Sequence, residues 1–215
     1  MLDQALTPMR IITGHLKGRT IPFSTRKYGN ARTTSGRVKE AAFSTLGRDL
    51  EGRRFLDLCA GSGQIGLEAW SRGACVVINE PDPARHRLIV GLIESWQLVE
   101  RMQVHSAPAG CLLAALEAEG TPFDIIYLDP PYEAQVEGAP AACWMLTRLA
   151  ESPLVSDGCA VMVQHGPRTE LPPASGRLAQ ARQKKHGDTV LTLYRADRPP
   201  LTADEPAGSP CGSGP

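Results

Sequence analysis

Two stretches of this chain bring together residue types that could do chemistry. The first is Phe55-Leu56-Asp57-Leu58-Cys59-Ala60-Gly61-Ser62-Gly63-Gln64-Ile65-Gly66, followed by Glu80 nineteen residues after Gly61. Glycines just after an apolar run let the backbone bend sharply and admit a ligand close to its free N–H groups. Asp57, Ala60, Gly61, Ser62, Gly63 and Gly66 are the expected contacts of such a ligand, with Glu80 placed to bind ribose hydroxyls. Two cofactors fit the spacing. One is a nicotinamide dinucleotide, since the pattern reads G-x-G-x-x-G. The other is S-adenosylmethionine. A pyrophosphate would be repelled by Asp57, whereas a cationic amino acid group would be welcomed, and the following helix brings Glu68 rather than a base. The methyl donor is therefore the better fit, against a dinucleotide or a tight turn with no ligand.

The second stretch is Asp129-Pro130-Pro131-Tyr132, at the end of the apolar run 125–128. Two prolines fix φ and remove two N–H donors. A rigid turn remains, presenting the Asp129 carboxylate, the Pro130 carbonyl and the flat face of Tyr132. An exocyclic amine on an aromatic base is a poor nucleophile, because its lone pair is delocalised. Two acceptors can hold its hydrogens and aim the lone pair at a methyl sulfonium, so positioning is the main contribution. Asp129 can also receive the released proton. Tyr132 would stack on the extruded base. A plain proline turn or a Pro-Pro-x-Tyr recognition peptide is the bland alternative, but a peptide of that kind belongs in a tail, not at the end of a buried strand.

These turns need elements to hold them. Residues 11–13 and 19–21 flank a glycine-containing stretch and predict a short β-hairpin; 28–34 reads as loop. Ser35 can cap a helix over 36–46. Strands are expected at 54–58, 75–79, 102–105, 125–128 and 159–164, with helices at 64–71, 83–96, 109–118 and 141–150. Residues 177–185 and 189–194 flank His186-Gly187-Asp188, a hairpin signal. The expectation is an α/β fold: a doubly wound, Rossmann-like parallel sheet of five strand–helix units ending in an antiparallel hairpin. Both turns then lie at the carboxyl ends of strands, where ligand crevices form. The expected division is a flexible terminus (1–9), a basic extension (10–50), a catalytic domain (51–197) and a disordered Pro/Gly/Ser-rich tail (198–215).

Composition narrows the class further. With 215 residues, 42% hydrophobic and 21% charged, the chain suits one globular core. No apolar run is long enough to span a bilayer and the first ten residues are too polar for a signal peptide, so a cytoplasmic location is expected. Six cysteines at 59, 75, 111, 143, 159 and 211 form no Cys-x-x-Cys pair. They read as buried free thiols, and no metal site is expected. The zero net charge conceals an asymmetry: residues 1–54 hold eleven Lys or Arg against four Asp or Glu. A basic arm on an acidic body suits a polyanionic partner, with an ordinary solvated surface as the alternative.

With these motifs in view, the sequence resembles the RsmD family of bacterial 16S rRNA guanine-N2 methyltransferases. The resemblance covers most of residues 10–196 and rests on Arg10-Ile-Ile-Thr-Gly-His-Leu-Lys-Gly-Arg19, Arg32-Thr-Thr-Ser-Gly-Arg37-Val-Lys-Glu40, the glycine turn through Gly73, and Asp129-Pro-Pro-Tyr132. It implies methylation of N2 of guanine 966 in an intermediate of 30S subunit assembly, by a protein with a seven-stranded sheet; a monomer is expected. It implies that Asp57, Gly61, Gly63 and Glu80 contact S-adenosylmethionine and that Asp129, Pro130 and Tyr132 hold the guanine. Arg10, Lys17, Arg19, Arg32, Arg37 and Lys39 would grip rRNA phosphates. The chain departs from the family at Thr33, where proline is usual, at Gly36, where a helix-capping Asp is usual, and at Ser106-Ala-Pro, where an Asn or Asp usually meets the adenine; Ser106 is the expected substitute. A DNA adenine-N6 methyltransferase uses the same turn, but this chain has no room for a separate recognition region. A dinucleotide oxidoreductase would want a catalytic His, Lys or Tyr, and a non-catalytic RNA-binding module would leave both turns purely structural.

Overall fold

The computed structural model describes residues 9–29, 33–98 and 100–197. The expected flexible first residues, the tail from 198 with Cys211, and Arg32 fall outside these, apart from Met9. In chain order the elements are β1 (Met9–Arg10), β2 (Thr20–Ile21), α1 (Thr25–Tyr28), α2 (Gly36–Leu46), β3 (Arg54–Asp57), α3 (Gln64–Ser71), β4 (Cys75–Asn79), α4 (Pro83–Trp96) and β5 (Met102–His105). There follow α5 (Ala109–Glu119), β6 (Phe123–Leu128), β7 (Gln135–Val136), β8 (Ala139–Pro140), α6 (Ala141–Ala150), β9 (Val155–His165), β10 (Ala174–Ser175), β11 (Leu178–His186) and β12 (Thr189–Ala196).

The main sheet has eight strands in the order β10-β11-β12-β9-β6-β3-β4-β5, the eighth being the two-residue edge strand β10. β3, β4, β5, β6 and β9 run parallel; β12 and β11 close the sheet antiparallel. The fifth parallel strand enters the hairpin directly, so four crossovers rather than five strand–helix units build the parallel part. Strand order reverses between β3 and β6, so their carboxyl ends part there and leave a crevice.

Both sheet faces are covered, which is why β3, β4 and β6 are apolar almost throughout. On one face Val38 and Phe43 of α2, Ile65 of α3 and Ile89 of α4 pack over Phe55, Ile78 and Tyr127; on the other, Leu112 of α5 and Leu146 of α6 pack over Leu56, Ile126 and Val161. Ser35 caps α2 as expected, its Oγ accepting from Val38 N at 3.3 Å. Pro83 opens α4 under an Asp82 cap.

The amino-terminal hairpin is displaced from the expected 11–13. Met9 pairs with Ile21 and Arg10 with Thr20, because the amides of Ile12 and Thr13 turn away and donate to the Glu68 carboxylate at 2.8 and 3.0 Å. Met9, Ile11, Leu16, Ile21 and Phe23 are buried in the same cluster as α3 and α4. Among the described residues no helix is long and apolar enough to cross a membrane. The described cysteines are free, but of these Cys159 alone is buried; Cys59, Cys75 and Cys143 are half-buried and Cys111 is exposed.

Candidate active site

The glycine turn and the Asp-Pro-Pro-Tyr turn open onto one cavity of about 530 Å³, at the point where strand order reverses. Asp57, Ala60, Gly61, Ser62 and Glu80 line one side, and Asp129, Pro130, Pro131 and Tyr132 the other. Gly63 and Gly66, expected at the ligand, do not line the cavity. Gly63 caps α3 with φ +77, and a Cβ there would stand 2.9 Å from Ile89. Gly66 lies within α3, where a Cβ would stand 2.6 Å from Ile78, so its lack of a side chain lets α3 sit down on β4. Ser106 is exposed and is not among the lining residues.

Asp57 is 1% exposed. Its Oδ2 accepts from Gly66 N at 2.9 Å, and its Oδ1 is buried with no hydrogen-bond partner. Burial, reinforced by the nearby Asp129 and Glu80, pushes its carboxyl up to about 8 despite the Gly66 bond. Glu80 braces the turn: Oε2 accepts from Gly61 N at 2.6 Å, Oε1 from Asp82 N at 2.9 Å, and Arg85 stands 3.6 Å away. Burial raises its pKa too, against those hydrogen bonds and Arg85. Asn79, unanticipated from the sequence, ties two loop mouths together. Its amide nitrogen donates to Leu58 O and Ala107 O, each at 3.1 Å, and its oxygen accepts from Ala107 N.

Asp129 is held by the amino-terminal segment. The Thr34 hydroxyl donates to Asp129 Oδ2 at 3.0 Å, and Gln164 Nε2 donates to the Thr34 hydroxyl at 3.2 Å. Tyr127 donates to Gln164 Oε1 at 2.7 Å, while Gln64, the first residue of α3, donates to Thr34 O at 2.9 Å. Thr34, Gln64, Gln164 and Tyr127 are all buried. They link the cofactor-side helix to the carboxylate of the opposite turn. Tyr132 donates to Thr189 Oγ1 at 3.1 Å, and its ring packs on Gly166, where a Cβ would stand 2.9 Å away.

The basic residues divide. Arg10, Lys17, Arg19 and Arg37 are exposed, with Arg19 over the Trp96 ring at 5.3 Å. Lys39 is not available for phosphate: it is 1% exposed, 3.3 Å from Glu68, and donates to Arg10 O at 2.5 Å. Burial lowers its pKa while Glu68 opposes the shift. Glu68 points away from the cavity. It also takes Arg72 at 2.8 Å, anchoring the amino-terminal segment rather than facing a ligand. Among the described residues no group of three His, Cys, Asp or Glu side chains is placed to hold a metal.

This geometry can hold a cationic amino acid group at Asp57 and a flat amine-bearing ring at Asp129. Comparison with known proteins identifies the family. The family model described as conserved hypothetical protein 95 matches residues 9–195. "Putative rRNA methyltransferase YlbH" of Bacillus subtilis is 32% identical over 87% of this chain and 98% of its own length. Ribosomal RNA small subunit methyltransferase D of Escherichia coli is 26% identical over 88% of this chain and 90% of its own. The solved structure titled "Putative methyltransferase yhhF from Escherichia coli" superposes with a TM-score of 0.74 at 26% identity, covering 88% of this chain and 98% of that one.

Proposed function

Because the chain belongs to the RsmD family, described as conserved hypothetical protein 95, we propose that it transfers a methyl group from S-adenosylmethionine to the exocyclic N2 of a guanine in 16S rRNA. Guanine 966, in an assembly intermediate of the small subunit, is the target the family resemblance implies. Residues 10–50 serve as the RNA-gripping extension of the catalytic domain 51–197, and the protein works in the cytoplasm, where that substrate is made. The observation that carries the reading is the single cavity shared by Asp57 and Asp129.

The cavity suits the cofactor chemically. S-adenosylmethionine supplies an electrophilic methyl on a sulfonium. The unpartnered Oδ1 of Asp57 can accept from its ammonium, and Glu80 keeps lone pairs for ribose hydroxyls. Glu80, Asp129 and Glu133 line the cavity together with the buried Asp57 carboxyl, and Arg85 stands beside Glu80. A pyrophosphate would be repelled there, which argues against a dinucleotide. Asp129 and the Pro130 carbonyl accept from the two N2 hydrogens and aim the amine lone pair. As the N–C bond forms, the amine becomes cationic, and Asp129 is placed to take the proton it sheds.

One experiment tests the reading. Small-subunit particles from cells lacking the gene are incubated with purified protein and labelled S-adenosylmethionine, and the 16S rRNA is mapped by mass spectrometry. One N2-methylguanosine is expected to appear, at guanine 966; label on a cytosine, on an adenine or nowhere overturns it.

Asp57 adds a pH dependence. With its folded pKa at about 8 against an ordinary 3.8, the carboxyl is neutral at pH 7 until a cation stands beside it. Binding at pH 7 should therefore expel a proton and tighten as pH rises from 6 to 8, by at most about tenfold per unit. Calorimetry with S-adenosylhomocysteine in buffers of different ionisation enthalpy reads the proton directly, and heats that do not vary with buffer contradict the assignment. The same shift makes Asp57 cost stability progressively as pH rises from 3.8 to about 8, because the unfolded chain ionises in that window while the folded carboxyl stays neutral.

A further inference from the structure

β11 carries a basic face that composition alone does not single out, and it forms one wall of a second groove. Arg182, Lys184 and His186 alternate along β11 and share one face with Leu191 and Leu193 of β12, their cross-strand neighbours or nearly so. That face stands beside Ser44 and Thr45 of α2. α2 covers β9 and β12 but stops short of β11, so Arg182 and Lys184 remain exposed. Among the described residues that line the groove there is no carboxylate. His186 Nε2 is buried and has no hydrogen-bond partner. The groove holds about 80 Å³, room for a phosphate but not for a nucleoside, whose clefts start near ~300 Å³.

Both walls are fastened to the catalytic turn. α2 begins beside Thr34, which donates to Asp129 at 3.0 Å. The β11–β12 tip reaches Tyr132 through Thr189 at 3.1 Å. From His186 down to Arg182 the strand falls about 13 Å away from that rim. Arg37, on the first turn of α2, is exposed at the upper end of the same helix.

We propose that the groove between α2 and β11 is an RNA-backbone track, in which Arg182 and Lys184 take phosphates of the strand that flanks the base held at Asp129. The inference rests on the RNA methyltransferase reading and assigns the hairpin a part in it. Phosphate contacts fix register without reading sequence. Cations on the part of β11 that extends past its short pairing with β10 serve that purpose, and they also keep that stretch from pairing with another sheet.

The test is the double variant Arg182→Gln, Lys184→Gln, assayed for binding to 16S rRNA and to small-subunit particles from cells lacking the protein, and for kcat and KM in methylation. Both residues are exposed, so thermal unfolding and S-adenosylhomocysteine binding should match wild type. Affinity for RNA and KM are expected to weaken on the order of tenfold, with kcat within about twofold. The slope of log K against log salt should become shallower by about 1.4, because two single-strand phosphates are no longer neutralised. Unchanged affinity and slope overturn the proposal, as does weaker binding with an unaltered slope. If wild type methylates no RNA but its RNA binding still depends on these residues, the catalytic reading fails and the track stands.

Discussion

Asp129→Ala is expected to lower kcat for methylation by about a thousandfold, leaving RNA affinity and cofactor binding within about twofold of wild type. The loss combines two effects. One acceptor for the amine hydrogens disappears, so the lone pair is no longer aimed, and the group that takes the proton is gone. Thr34→Ala should act through the same carboxylate with a smaller effect, about tenfold in kcat, since the hydroxyl only holds Asp129 in place. Thr34→Ser keeps the donor and should recover most of the rate, which a purely packing role for the threonine methyl would not allow. Steady-state kinetics with calorimetry separates these outcomes. An Asp129→Ala enzyme within about tenfold of wild type would mean that the turn does not do the chemistry assigned to it.

Glu68→Ala should produce the largest loss of stability, on the order of 3–5 kcal/mol. Glu68 is wholly buried and takes two backbone amides, Lys39 and Arg72. Removing it leaves two buried cations facing each other and two amides without acceptors. Glu68→Gln keeps an acceptor but not the charge, so a smaller loss is expected. Urea unfolding measures both. The amino-terminal segment should also loosen, with faster tryptic cleavage at Lys17 and Arg19 as a second reading. A Glu68→Ala loss below about 1 kcal/mol would show that the clamp contributes little.

Much of this architecture is legible in the residues. The bounds of α3, β4, α4, β5 and α6 coincide with those expected, because apolar spacing and capping residues such as Asp82 and Pro83 are local signals. The two turns are legible for the same reason. What the residues alone do not disclose depends on contacts across long stretches of chain. Lys39 lies in a basic motif and reads as a phosphate ligand; only the approach of α3 shows that its ammonium is enclosed by Glu68. Glu68 follows the glycine turn and reads as facing the cofactor, but its position on α3 turns it to the opposite side. Gln164 and Asn79 do leave a signal, each being a polar residue at the end of an apolar strand. Their partners, Thr34 and Ala107, lie 130 and 28 residues away. The β7–β8 hairpin gives no sequence signal because its strands are only two residues each, too short for any alternation to register.

The distances along the chain also set an order in time. Thr34 meets Asp129 across 95 residues and Gln164 across 130, and Ile12 reaches Glu68 across 56. Translation adds roughly 5–20 residues per second, so a newly made Thr34 waits on the order of ten seconds for Gln164 to exist. The segment around Thr34 thus leaves the ribosome well before its partners and settles only after they exist, so the pocket is assembled only once Gln164 has been made.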